Sequence, residues 1–575
     1  MLAPLDDDAR TWVDATLRRL TLPEQVGQLL MPWLLGGFTA RDSKAFECLA
    51  RWVREEGVGG LLVSVGTPHS YAALTNAAQT LANVPLLVAS DMENGTGMRL
   101  ARNYALPYVL PLGGGTLFPP MMGLGAISKD AETAVEAMAT ALAREARAVG
   151  VHMTFGPVAD VNVNPANPII STRSFGEEPA TVGRLAAAYV RGAHSEGLLT
   201  CGKHFPGHGD TALDTHLVMP TIAHGMERLE AVELPPFQAV IDAGVDAVMT
   251  AHIAVTGVEG PDAPPATCSR FWLTEVLRER MGFEGLIVTD ALNMGGATQA
   301  FGPDELAIRA VEAGADVLTY PHDVRAVRDA ILTAVQTGRL SQERVEASAR
   351  RVLAAKARAG LHTRPPQVSL DAVDTVVATR RHYDLAANVA TRSVTLARDA
   401  RRAVPLPVDR QRVLSVTYAD TEDLPAGHAF DAHLATRHAV TSSRIDGRAG
   451  DAEFAEIRGH AAEATAVIVS LYLSPRNFKG SVQATTRFTD FLGELAAAAS
   501  VSRPRTVVAI SFGSPYVLSA LPDEIAYLLA WGGDPVCQKA AARALLGDAA
   551  ITGRLPISLP PALVRGDGLV REARA

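Results

Sequence analysis

Long apolar runs, clustered cysteines and blocks of basic residues are all missing from this chain. Without a long apolar run there is no candidate for membrane insertion. With 48% hydrophobic and 20% charged residues, the composition is that of a folded globular protein rather than a disordered one. Cys48, Cys201, Cys268 and Cys537 lie far apart and form no C-x-x-C pair. That spacing argues against a zinc ribbon and a disulfide framework, and leaves buried thiols. Net charge is -9, with no lysine- or arginine-rich run and no zinc-finger, leucine-zipper or RNA-binding signature, so the electrostatic footprint of nucleic-acid binding is absent. A neutral or mildly polar small molecule fits better. No P-loop, G-x-S-x-G or H-E-x-x-H occurs, and the G-x-G of Gly123 and Gly125 lacks its third glycine. Phosphate-binding, serine-hydrolase and helical zinc-protease readings therefore have no support. The N-terminal MLAPLDDDARTWVDATLRRL lacks the basic n-region and apolar h-region of a signal peptide, which points to a cytoplasmic protein. Asp7 to Leu20 already reads as a helix, so secretion with an earlier leader removed is the alternative.

What is present is a regular alternation. Apolar runs of strand length recur as VGQLLMPWL from Val26, VGGLLVSV from Val58, PLLVASD from Pro85, VHMTFGPVADV from Val151, LTCGKHF from Leu199, AVMTAHI from Ala247, GLIVTDA from Gly285 and ADVLTYP from Ala315. Gly57, Gly150, Gly197, Gly244, Gly282 and Gly314 each stand where a helix ends and a strand begins, the place of a left-handed C-cap. Between them run amphipathic stretches such as KDAETAVEAMATALAREARAVG and EPATVGRLAAAYVRGAHSEG, with apolar positions three and four apart. Eight strands alternating with helices predict an α/β chain beginning with a (β/α)8 TIM-type barrel over 1–361, a doubly wound open sheet being the runner-up. LHTRPPQVSLDAV breaks both periodicities and predicts a linker over 362–385. Beyond it SVTLARD, RVLSVTYAD, AVIVSLYLS, TVVAISFG and IAYLLAWGG again alternate with helical stretches, predicting an α/β sandwich domain over 386–575.

In a barrel the C-terminal strand ends and the loops after them build the active site. Here those ends run out into polar residues: Asp91 after strand three, Asp160 leading to Arg173 after strand four, Lys203 and His204 on strand five, His252 after strand six and Asp290 after strand seven. Each has a plainer reading. Asp290 alone reads as a helix N-cap, His252 as a hydrogen-bonded core group, and Arg173 as a surface partner of Glu177 or Glu178 for about 0–1 kcal/mol. The densest stretch is KHFPGHGDTALDTH, with His204, His208 and His216. A metal site there is disfavoured, because catalytic zinc ligands come from rigid spacings whereas this loop carries Gly207 and Gly209. The pattern calls for no metal and no cofactor.

KHFPGHGDTALDTH followed by GFEGLIVTDALNM resembles glycoside hydrolase family 3, in its branch of bacterial β-N-acetylglucosaminidases. The likeness extends through DMENGTGMRL, ADVNVNPANPIISTRSFGEEP, and SFGSPYVL and GRLPISLP in the second domain. The resemblance implies that Asp290 is a nucleophile and that the Asp214–His216 pair is the general acid/base. It implies that Asp91, Arg99, Arg173, Lys203 and His204 bind the hydroxyl groups of a terminal sugar. The residue chemistry is consistent with these roles. A histidine pKa of about 6.5 suits donating and reclaiming a proton near neutrality. Asp214 lies two residues before His216, so in an extended segment it projects to the same side and can orient the ring. Nearby cations such as Lys203, Arg99 or Arg173 keep a nucleophilic Asp290 ionised. One departure stands out: where the family usually reads D-Q-E-G-G-R-V-x-R, this chain reads DMENGTGMR, with Thr96 in place of the internal arginine. The expected activity is retaining exo-cleavage of β-linked N-acetylglucosamine, with glycosides or muropeptides as substrates. A phosphorylase, a β-glucosidase and a non-catalytic sugar-binding protein are the alternatives. The glycines around His208 suggest a loop that opens for substrate and closes to bring His216 to the glycosidic oxygen.

Overall fold

The computed structural model describes residues 2–100, 103–105, 110–112, 114–212, 219–298, 301–363, 366–474, 483–501 and 505–574. The chain forms two compact units, one of Met1–Thr116, Val135–Val161 and Val182–His382, the other of Leu117–Ala134, Asn162–Thr181 and Tyr383–Ala575. A single crossing within 362–385 is therefore only part of the division. Helices Leu370–Val376 and Arg380–Ser393 occupy much of that interval, and two earlier segments belong to the second unit. Burial and hydrogen bonding explain why. Met122 and Ala126 sit in the second unit's apolar core, the Glu177 amide donates to Pro556 O (3.1 Å), and the Ser558 amide donates to the Glu177 carboxylate (2.8 Å).

The first unit is the expected barrel. Its strands are β1 (Leu30–Met31), β2 (Trp33–Leu35), β3 (Gly60–Ser64), β4 (Leu87–Ser90), β5 (Met153–Thr154), β6 (Leu199–Phe205), β7 (Ala247–Thr250), β8 (Leu286–Val288) and β9 (Leu318–Thr319). β2 to β8 pair in sequence order, all parallel. Closure comes from β1, which pairs parallel with β9, and from the Val288–Val317 bridge beside β8. Only Pro32 separates β1 from β2, so the two serve as one barrel strand. All six punctuating glycines have φ between +64° and +130°, the left-handed region that a side chain would strain. The two amphipathic stretches become helices Ala131–Ala148 and Pro179–His194. The second buries Val182, Leu185, Tyr189 and Val190 along one stripe, each contributing roughly 1.5–3 kcal/mol of apolar burial. Among the described residues no helix is long and apolar enough to cross a membrane.

Side chains alternate across each strand, so the barrel interior is written in every second residue. Leu87 and Ala89 of β4, Leu199 and Cys201 of β6, and Leu286 and Val288 of β8 share one apolar core. Two residues further along each of these strands, the same inward register delivers Asp91, Lys203 and Asp290. The core therefore ends in a layer of charge at the C-terminal mouth.

The second unit is an open mixed sheet of β10 (Thr395–Arg398), β11 (Arg412–Tyr418), β12 (Ala439–Ile445), β13 (Ala466–Leu471), β14 (Thr506–Ser511) and β15 (Ala526–Leu529). The order is β10-β15-β14-β13-β11-β12, antiparallel only between β10 and β15. Successive residues feed opposite cores: Val467 and Val469 face one cluster, Ala466 and Ile468 the other. Both faces are covered, as in an α/β sandwich.

Candidate active site

Lys203 organises the mouth. Its side chain is almost fully buried, and Nζ donates to Asp91 Oδ1 (3.0 Å) and pairs with Glu93 Oε1 (2.8 Å). The second oxygen of Asp91 faces Arg99 at 3.5 Å. Burial raises the Asp91 carboxyl, but Lys203 and Arg99 outweigh it and hold it below its usual value. Glu93, which sequence reasoning did not single out, lies two residues beyond Asp91, as Asp91 does beyond Ala89. That spacing was the available signal.

His204, next along the strand, bonds a different carboxylate. Its Nδ1–H donates to Asp160 Oδ2 (2.7 Å), and the amides of His204 and His208 also donate to Asp160, at 3.2 and 2.7 Å. Asp160 is buried and kept ionised: burial raises it, while the His204 and His208 contacts lower it further. It fixes both the ring orientation of His204 and the turn that follows. Burial and the neighbouring His204 push His208 down to about 4, so it is neutral near pH 7 and shares a hydrogen bond with Thr211 (2.8 Å).

The PGHG turn is not the open hinge that its glycines suggested. Pro206 to Gly209 are all buried. A Cβ on Gly209 would stand 1.7 Å from Val161 O, so this glycine serves a close backbone approach. Asp214 and His216 lie outside the described residues. Arg173 belongs to the second unit, on the turn Ser171–Arg173, and donates to Ile169 O (3.2 Å).

Asp290 is half-buried at the end of β8, and its Oδ1 accepts from the Ala291 amide (2.7 Å). Burial raises its carboxyl, but His204, His252, the Ala291 amide and Lys203 together set it below its usual value. Burial also lowers His252 from its usual value. The His252 ring spans Thr267 Oγ1 (2.9 Å) and Ala291 O (3.1 Å). Read as a core group in the sequence, it also braces the peptide next to Asp290. The helix-cap reading of Asp290 fails on this geometry, since its bond goes to the adjacent amide and Gly295–Thr298 begins five residues later.

Thr96 is fully buried and does not face the mouth. Its hydroxyl donates to Glu145, a carboxylate that also accepts from the Thr116 amide (2.9 Å) and bonds His382 Nδ1 (2.7 Å). The departure at this position lies in a buried network behind the loop 91–99.

A closed barrel with an ionised, half-buried carboxylate and a lysine–carboxylate–arginine cluster at its C-terminal rim defines a barrel enzyme. Residues 21–355 match the model of the glycosyl hydrolase family 3 N-terminal domain and residues 285–568 that of its C-terminal domain. The chain belongs to glycosyl hydrolase family 3 and is a glycoside hydrolase. It is 29% identical to a β-N-acetylglucosaminidase/β-glucosidase of Cellulomonas fimi over 96% of both chains, and 37% identical to a β-hexosaminidase of Tolumonas auensis over 49% of this chain and 81% of that one. Among solved structures it resembles a family 3 β-N-acetylglucosaminidase from Paenibacillus sp. FPU-7, with TM-score 0.79, 32% identity and coverage of 93% and 98%. It also shares its fold with a β-glucoside phosphorylase, with TM-score 0.82, 24% identity and coverage of 96% and 97%.

Proposed function

We propose that the enzyme is a retaining exo-β-N-acetylglucosaminidase. The observation that carries this reading is Asp290, held ionised on the inward register of β8 beside a cluster suited to sugar hydroxyls. In the first step the Asp290 carboxylate attacks the anomeric carbon while protonated His216, oriented by Asp214, gives its proton to the glycosidic oxygen. The C–O bond breaks, the aglycone leaves as an alcohol, and a glycosyl ester of Asp290 remains. Neutral His216 then takes a proton from water as that water attacks the same carbon and expels Asp290. Asp91, Arg99, Lys203 and His204 hold the hydroxyl groups of the terminal sugar, and Asp160 fixes the orientation of His204. Peptidoglycan fragments in the cytoplasm are the proposed natural substrate.

The names of the relatives support the N-acetylglucosaminide preference. That of the Cellulomonas fimi protein adds β-glucosidase, and the fold is shared with a phosphorylase. A neutral imidazole does not repel incoming phosphate as a carboxylate would, so phosphate in place of water is the second reading. Both are tested by turnover of an aryl β-N-acetylglucosaminide and an aryl β-glucoside, each with and without phosphate. The expected outcome is preferred cleavage of the N-acetylglucosaminide at a rate unchanged by phosphate. Acceleration by phosphate with release of sugar 1-phosphate overturns hydrolysis, and equal rates on both glycosides overturn the preference.

A further inference from the structure

The mouth of the barrel has two unlike halves. Asp91, Lys203 and Asp290 come from β4, β6 and β8. On β9 and β2, past Asp290 around the rim, the polar layer stops. Trp33 packs on the barrel core, and its ring stacks on that of Tyr320, with centroids 5.2 Å apart and planes 10° from parallel. Both side chains are only half-buried. Alternation along β2 puts Leu35 on the face of Trp33, one layer nearer the opening, and this leucine is 55% exposed. Tyr320 adopts φ +48°, a conformation that is an outlier for a bulky residue, directly after β9. A backbone held there against its preference marks a constraint on where the ring goes. Two hydrogen bonds pin it: the Tyr320 amide donates to Met31 O (3.0 Å), and the Leu292 amide, in the turn after Asp290, donates to Thr319 O (3.1 Å). The stacked pair is thus tied through Thr319 to the turn that carries Asp290.

We propose that Trp33, Tyr320 and Leu35 form the aglycone platform of this enzyme, a site for a leaving group whose ring presents a flat apolar face. This rests on the hydrolase reading above. With sugar hydroxyls held by Asp91, Lys203 and Arg99 and the anomeric carbon at Asp290, the platform is joined to the turn after Asp290 and carries none of the sugar-binding groups. An exposed leucine and an open-faced aromatic stack favour the C–H face of a second sugar ring or an aromatic aglycone, and offer nothing to a methyl group.

The test compares kcat/KM for methyl, 4-nitrophenyl and β-linked disaccharide N-acetylglucosaminides in the wild type, Tyr320→Phe and Tyr320→Gly. Glycine adopts φ +48° without strain, so Tyr320→Gly removes the ring and keeps the fold, which an unchanged thermal melt verifies. Expected is a fall of roughly tenfold in the ratio of ring-bearing to methyl glycoside turnover for Tyr320→Gly, with Tyr320→Phe close to wild type. Loss on the nitrophenyl glycoside alone assigns an aromatic aglycone, and loss on the disaccharide as well assigns a sugar ring. An unchanged ratio, whether all three rates fall together or none does, overturns the platform while leaving the hydrolase reading intact. If the wild type cleaves none of the glycosides, the hydrolase reading falls. The platform is then judged by quenching of Trp33 fluorescence with the nitrophenyl glycoside against a Trp33→Phe control, and no difference from that control overturns it.

Discussion

Lys356, on helix Gln342–Arg358, is fully buried, and its Nζ donates to Gln28 Oε1 (2.5 Å). Burial pushes its pKa down to about 7, against about 10.4 in an unfolded chain. The unfolded state therefore binds more protons between those two values, and unfolding free energy rises with pH across the window. The gap of about 3.4 corresponds to roughly 5 kcal/mol in all, of which about 3 kcal/mol falls between pH 6.5 and 9.5. Lys356→Met keeps most of the volume and removes the titration. It leaves the buried Gln28 oxygen without this donor, at a cost of roughly 1–3 kcal/mol, while Gln28 Nε2 keeps its bond to Gly57 O (3.1 Å). The variant is then expected to be about 2–4 kcal/mol more stable than wild type near pH 6.5, an advantage that shrinks by about 3 kcal/mol to leave the two within about 1 kcal/mol near pH 9.5. The nearby His152 is held well below its usual value by burial and stays neutral in the folded protein, and its titration in the unfolded chain near pH 6.5 is common to wild type and variant. Guanidinium unfolding followed by tryptophan fluorescence reads this directly, since Trp12, Trp33, Trp52 and Trp272 lie in the first unit and only Trp531 in the second. Titrations common to both proteins cancel in the difference. A stability difference that stays constant within about 1 kcal/mol from pH 6.5 to 9.5 refutes a neutral buried lysine.

Asp290→Asn is expected to lower kcat at least about 1,000-fold with an unchanged melting temperature. Excess azide should restore cleavage to Asp290→Ala as an α-glycosyl azide, whereas a β-azide product counts against a nucleophilic role. Asp160→Asn takes the carboxylate from His204 and from two buried amides. A loss of roughly 100-fold in kcat/KM is expected, and a pH–rate profile identical to wild type would remove Asp160 from the site. Gly209→Ala drives a Cβ into Val161 O, and a loss of more than about 3 kcal/mol in stability is expected by thermal melting. A fully folded variant with only a slower turnover would revive the hinge reading of that loop. Thr96→Val removes a donor from buried Glu145 and should cost about 1–3 kcal/mol in chemical denaturation. A larger effect on KM than on stability would place Thr96 in contact with substrate instead.

Much of the architecture was legible from local signals. Strand-length apolar runs and glycine C-caps are properties of a few consecutive residues, and each of the eight runs became a barrel strand, with the six capping glycines at positive φ. Asp91, Lys203 and Asp290 were legible as well, because they continue a period of two begun by their own strands. Glu93 and Asp160 carried weaker signals: one needed the period extended past the strand, and the other serves an imidazole 44 residues away. Segments 117–134 and 162–181 could not be assigned from composition, because their apolar residues look alike whichever core receives them.

By itself the sequence determined the class of fold, the strands and the positions where charge replaces apolar side chains, since these depend on periodicity and backbone preference over short spans. Only the tertiary structure decided that Lys203 lies between two carboxylates, that Asp160 orients His204, and that Trp33 meets Tyr320 across the closing seam of the barrel. Those pairings join residues distant along the chain, and only closing the barrel brings them within a hydrogen bond or a ring's width of one another.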